Sequence, residues 1–234
     1  MNILFIGAHP DDIELSAAGT MLKYRERGDN IFMIVTTTGN IGSGVIDSKE
    51  KIAEIRANEA REAAKIAGAQ IYQLPFDDEL LINNEVTRHA MLNAIRWANP
   101  DVIFTHSPED GSPDHHTTSQ IVTDVVLSLP VKHFKTEYLP CTKKISLFYW
   151  EPTAGVGFMP EVYVDITSQF ENKQRLIKCH TSQFEWMGNY MDQSLTDISR
   201  IMAQFRGLQI NVPFAEAFRA FRLHSVMPDF KILP

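Results

Sequence analysis

NILFIGAHPDDIELSAAGTMLKYRERG, residues 2–28, decides how this chain folds. NILFIG is an unbroken apolar run, as in a parallel strand covered on both faces. Ile13 to Arg27 follow with apolar residues at helical spacing until Gly28 ends them. Strand, short loop, helix is the opening of a βαβ unit. Its loop holds His9, Asp11 and Asp12, three groups costly to desolvate, at the end of a buried strand.

Downstream the pattern repeats. IFMIVTTT (31–38) reads as a strand, KEKIAEIRANEAREAAKIAG (49–68) as a long amphipathic helix with a terminal glycine, and QIYQLP (70–75) as a strand. A helix near 84–98 closes before Pro100, then come a strand, DVIFTH (101–106), and a helix near 114–128. This alternation predicts one α/β domain over residues 1–234, with a Rossmann-like, mostly parallel sheet flanked by helices. In such sheets ligands sit beyond the carboxyl ends of the strands. After residue 130 the pattern is less regular: strands at 144–150 and 162–166, a helix from about 167 to 182, and helices near 194–206 and 213–222. Three prolines and two glycines make 140–160 a loop-rich rim.

Composition narrows the function. A chain of 234 residues with 44% hydrophobic content supports one substantial core. No apolar run approaches the roughly 20 residues of a membrane span, and MNILFIGAHPDD lacks the basic segment of a signal peptide, so a cytoplasmic protein is expected. Cys141 and Cys179 lack the spacing of a redox or zinc site. A net charge of -7 without a basic run argues against nucleic-acid or anionic-membrane surfaces.

A second cluster, HSPEDGSPDHHTTSQIV (106–122), follows a later strand of the same sheet. His9 and Asp12, three residues apart across a turn, suit two ligands of a catalytic metal, which typically takes three protein ligands and leaves a position open. His115 or His116 could supply the third. Imidazole and carboxylate donors without thiolate suit Zn²⁺, with Fe²⁺ or Mn²⁺ as alternatives. Asp11 could then accept a proton from water as general base. Each piece also has a plainer reading. Asp11 and Asp12 could cap the helix near Ile13, and Ser112 followed by Pro113 reads as N-cap and first helical position. Both clusters falling on the ligand-binding edge favours the metal site.

AHPDDIEL, the later PDHH, KCHTSQ and FAEAFR together resemble the LmbE-like, or PIG-L, family of zinc-dependent N-acetylglucosaminyl deacetylases. IRANEA (55–60), LPFDDELL (74–81) and VYVDIT (162–167) extend the resemblance almost end to end. It implies that His9, Asp12 and His115 bind zinc, that Asp11 is the general base, and that Asp114 is the supporting acid of the catalytic group. Arg56 and Asp77 fall where the family contacts its sugar. Ser112, at the substrate side, stands where the family's H-x-D-H pattern begins with a histidine, and a hydroxyl cannot deliver a proton near neutral pH. The implied activity is metal-dependent removal of acetyl from a small amino-sugar conjugate, by a protein that forms homo-oligomers in some relatives. His106 or His116 could replace the missing histidine, or Asp11 could act as both base and acid. A sugar-binding or metal-binding relative without turnover, and a hydrolase of a larger sugar-thiol amide, are the alternatives. Trp150 and Trp186 read as sugar-stacking or packing residues, and His180 and Glu216 as structural. His89, His133 and His224 suggest surface or loop roles.

Overall fold

Ile3 and Phe5 face one side of strand β1 (Asn2–Gly7), Leu4 and Ile6 the other, and all four are fully buried. The strand therefore lies mid-sheet, with a separate apolar cluster on each face. In this computed structural model, which describes residues 1–187 and 192–222, the sheet order is β3-β2-β1-β4-β5-β7-β6. His224 lies outside the described residues. β2 (Asn30–Thr37), β3 (Gln70–Phe76), β4 (Val102–Thr105) and β5 (Ser146–Trp150) continue the parallel pairing that β1 begins. β6 (Val162–Asp165) and β7 (Ala215–Ala220) add an antiparallel edge.

Helices α1 (Asp12–Glu26) and α2 (Lys49–Ala67) cover one face with α5 (Phe170–Ile177) and α7 (Leu195–Ile210); α3 (Glu85–Ala98) and α4 (Pro113–Val126) cover the other. Their ends carry the expected signals. Ser48 caps α2 through Lys51 N–H, and Gly68 closes it at φ 66°. Asn84 and Thr87 form a capping box on α3. The chain runs outward from β1 to β3 and then returns to place β4 beside β1. Strand order reverses there, and such a switch point opens a crevice at the strands' carboxyl ends. His9 follows β1 and the 106–116 cluster follows β4. No helix among the described residues is long and apolar enough to cross a membrane.

Two expectations fail in the C-terminal third. The segment 213–222 is not a helix: it forms β7, hydrogen-bonded between β5 and β6. Its Ala, Glu and Arg favour a helix locally, but an inner strand buried from Ala215 to Phe218 is fixed by its neighbours rather than by propensity. The helix expected over 167–182 is a short 3₁₀ turn, Thr167–Gln169, followed by α5 and, after a break at His180, by α6 (Thr181–Met187). At that break Glu59 of α2 accepts hydrogen bonds from the Thr181 hydroxyl and from Ser182 N–H, both at 2.8 Å, so the chain turns onto α2.

Candidate metal centre and its cavity

His9 Nδ1 lies 3.2 Å from His115 Nε2 and 3.5 Å from Asp12 Oδ2, and His115 Nε2 lies 3.2 Å from Asp12 Oδ1. The outward nitrogen of each imidazole meets carboxylates. His9 Nε2 faces Asp78 at 2.9 Å and Asp114 at 3.2 Å, and His115 Nδ1 faces Asp110 at 3.1 Å. Carboxylates accept hydrogen bonds, so these contacts place a proton on each outward nitrogen. The inward nitrogens are then two acceptors pointed at one another, an arrangement that needs a proton or a cation between them. His115 shows the same demand: burial opposes its charge, yet Asp12 and Asp110 outweigh burial and lift it to about 10. Asp12 is held well below the usual carboxylate range, because the facing imidazoles His115, His106 and His9 overcome its burial. A tetrahedral zinc with bonds of about 2.0–2.1 Å has ligand–ligand edges of about 3.3 Å, close to those of this triad. The residues fit the metal that the sequence implies.

Asp11, at the N-terminus of α1, has φ 138° and makes no capping hydrogen bond through its side chain. A positive φ is strained for aspartate, and here it goes with a carboxylate turned away from the helix and toward the cavity. Its Oδ1 lies 3.4 Å from Arg56 Nη2. Burial raises its pKa to about 6; Arg56 pulls it down and Asp12 pushes it up. Arg56 is itself buried, donating to Pro10 O at 3.0 Å and Gly39 O at 3.2 Å. A Cβ on Gly39, at φ 64°, or on Gly42 would stand 2.5 Å from the guanidinium, so both glycines make room for it.

Most of the residues singled out in the sequence meet here, with exceptions. Asp77 is exposed and accepts from Asn40 Nδ2 at 2.7 Å, whereas its neighbour Asp78 is buried, touches His9 and lines the cavity. Asp114 sits beneath His9 and also accepts Glu79 N–H at 2.8 Å; it backs the imidazole and is not among the residues that line the cavity. Ser112 starts α4 with no side-chain cap and is likewise not among the lining residues. His106 is fully buried behind Asp12, stacked on His115 at 4.0 Å between ring centres. Burial and the His115 charge lower its pKa to about 4. His116 turns away, to Pro108 O and Gln120. Trp150 is core, its indole nitrogen 3.2 Å from His106 Nδ1, while Trp186 lines the cavity. Sequence reasoning missed Asp78 and Asp110. The signal for Asp110 was its place five residues before His115, and for Asp78 it was the acidic doublet in the loop that follows β3.

The cavity over these groups has a volume of about 320 Å³. Its far wall comes from residues 151–216, chiefly α7, β7 and the loop after β5.

Residues 4–126 match the family model described as PIG-L: GlcNAc-PI de-N-acetylase. Diacetylchitobiose deacetylase of Thermococcus kodakarensis is 28% identical over 78% of this chain and 70% of its own length. The uncharacterized deacetylase YaiS of Escherichia coli is 32% identical over 77% of this chain and 90% of its own. Among solved structures, N,N'-diacetylchitobiose deacetylase from Pyrococcus horikoshii superposes with a TM-score of 0.81 at 26% identity, covering 94% of this chain and 83% of that one.

Proposed function

This chain belongs to the PIG-L family of de-N-acetylases, and on that premise we propose that it is a metal-dependent hydrolase that removes acetyl from an N-acetylglucosamine-type conjugate. The observation that carries the reading is the facing pair of imidazole acceptors, closed by Asp12 and backed on each outward nitrogen by a carboxylate. His9, Asp12 and His115 hold the metal, Zn²⁺ with Fe²⁺ or Mn²⁺ as alternatives. When bound, the ion supplies Lewis acidity toward a carbonyl oxygen and acidifies water at its open position.

The chain's own groups do the rest. Asp78 and Asp114 fix the His9 tautomer and Asp110 fixes that of His115, so both ligands present a lone pair without rotating. Asp11 takes the proton of the attacking water as the new C–O bond forms. With a pKa raised to about 6 by burial, its acid form is strong enough to return that proton to the amide nitrogen as the C–N bond breaks. The same carboxyl thereby serves as base and acid, which accounts for the absence of a histidine at Ser112. Arg56 holds Asp11 in place and lines the cavity beside it. A cavity of about 320 Å³ is at the small end of ligand pockets and suits a small conjugate rather than a polymer.

Incubation of the Zn²⁺-loaded protein with a panel of N-acetylglucosamine conjugates should release acetate, and none from protein treated with chelator. The position of Ser112 outside the cavity lining supports one other reading, a sugar-binding protein without turnover. Tight binding of panel members with no acetate released from any of them is the result that favours it.

A further inference from the structure

Two members of the triad are imidazoles backed by carboxylates; Asp12 is an anion and needs donors instead. Its Oδ2 accepts His9 N–H at 2.6 Å and lies 3.2 Å from His106 Nε2, which leaves Oδ1 facing His115 Nε2 at 3.2 Å. His106 follows β4 and is 1% exposed, so the protein's own groups decide where its ring proton sits. Three of them meet the ring. Trp150 Nε1, at the end of β5, is 3.2 Å from Nδ1, and Ala8 N is 3.0 Å from Nε2, the nitrogen that Asp12 also faces. Indole and backbone N–H groups only donate, and a doubly protonated ring would oppose both of them. The ring is therefore neutral, with one proton to place. On Nδ1 that proton would meet the indole N–H head-on and leave the Nε2 lone pair against the Asp12 carboxylate, two repulsions against one bond from Ala8. On Nε2 it donates to Asp12 while Nδ1 accepts from Trp150, and the cost is the Ala8 bond alone. Trp150 tips this balance. Without its N–H, a proton on Nδ1 would have Asp110 Oδ2 at 3.9 Å to attract it, and Nε2 would be released to Ala8.

We propose that Trp150 is a positioning residue for the metal centre: its indole N–H fixes the His106 tautomer, and His106 in turn holds Asp12 with Oδ1 turned to the ion. The tryptophan and the histidine that the sequence left between packing, stacking and acid catalysis thus share one task behind the ligand. The inference rests on the metal reading for what Oδ1 faces.

The test joins long-range ¹H–¹⁵N correlation NMR of the histidine rings in the Zn²⁺-loaded chain with zinc affinity measured by competition with a chelator. The His106 signals are identified by their loss in His106→Gln. In the parent they should show Nδ1 bare and Nε2 protonated. Trp150→Phe keeps a large aromatic ring in the core and removes the indole N–H; it should move the proton to Nδ1 and weaken zinc binding about tenfold. A tryptophan that only packs would leave the proton where it is. Because phenyl is smaller than indole, a second pair of variants separates volume from hydrogen bonding. His106→Gln carries a fixed amide donor for Asp12 and should stay near the parent affinity, whereas His106→Leu, with no donor, should fall about tenfold. On the His106→Gln background, which has no tautomer to select, Trp150→Phe should have no further effect on zinc. A proton on Nδ1 in the parent, an unchanged tautomer or affinity in Trp150→Phe, equal affinities of the Gln and Leu variants, or a Trp150→Phe effect that persists on the Gln background overturns the inference and leaves the metal centre standing. Should Trp150→Phe fail to fold, the parent tautomer and the Gln and Leu pair decide. A parent that binds no zinc overturns the metal reading and this inference together.

Discussion

The two walls of the cavity are built on different principles. One wall, drawn from residues before Val126, is polar and over-determined: each imidazole of the triad has a carboxylate behind it, and Asp11 is held by Arg56. The other, from Glu151 to Glu216, is largely aliphatic, with charge confined to buried ion pairs on its floor. The first sits at the switch point of the sheet, where the topology brings two loops together regardless of what is bound. The second is assembled from helices and an antiparallel edge added to that frame. The contrast teaches that chemistry and selection are separable here: damage to the first wall should abolish turnover of every substrate, and damage to the second should alter which substrate is preferred.

The strongest way to break this division is to remove a ligand. Asp12→Ala deletes the one carboxylate of the triad and leaves two imidazoles, so bound zinc, measured by elemental analysis after dialysis, should be lost along with turnover of all substrates. Circular dichroism should remain that of the parent, because the core clusters on both faces are untouched. Retained zinc in this variant would move the metal elsewhere, His106–Asp110–His115 being the neighbouring group able to hold it.

Asp11→Asn separates base from ligand within the same loop. It should keep its zinc and lose about 10²- to 10⁴-fold in kcat. The pH profile gives an independent check. The base works only when ionised, and burial raises its pKa to about 6, so kcat/KM of the parent should fall as pH drops, with the limb at or below pH 6 because a bound cation lowers the value further. A limb that persists in Asp11→Asn assigns it to another group.

On the second wall the largest effect should be on stability. Lys173→Met leaves the Glu216 carboxylate buried without its ammonium, and breaking such a pair costs about 3–5 kcal/mol. Denaturant unfolding should show this loss while zinc content per folded chain stays at parent level. Asp110→Ala should do the converse: it removes the partner of His115, weakening zinc binding about 10- to 100-fold with little change in unfolding.

The same division governs what could be read from the sequence. The first wall was legible because β1 to α4 are local, repeating units, and their apolar runs and caps placed His9, Asp12 and His115 on one edge before any coordinates. Within it, Asp77 was singled out whereas Asp78 is the carboxylate that faces His9 and lines the cavity: a doublet after a strand end does not reveal which carboxylate points inward until the loop's path is known. The second wall was legible only in part: the helix expected near 194–206 is α7, but the strand beside it was not foreseen. Ala215 to Ala220 have helix-forming composition, and only pairing with β5 and β6 makes them a strand. Lys173 and Glu216 lie 43 residues apart on elements whose adjacency no local pattern encodes.

Ser112 offers the finest probe, because it begins the helix that carries His115. It begins α4 three residues before His115, makes no side-chain cap, and does not line the cavity. If Asp11 supplies both proton transfers, an imidazole at this position adds a second donor to a step already served. Ser112→His should then change kcat by less than about tenfold, whereas a missing donor that limits the rate is worth about 10²- to 10³-fold. Steady-state assays across pH 5–9 decide between the two. A rise of the larger size, with a new limb from an imidazole, would show that the cleavage step lacks its acid and that Asp11 acts as base alone. An unchanged profile would locate the whole proton relay in one buried carboxyl, and would explain how the serine is tolerated.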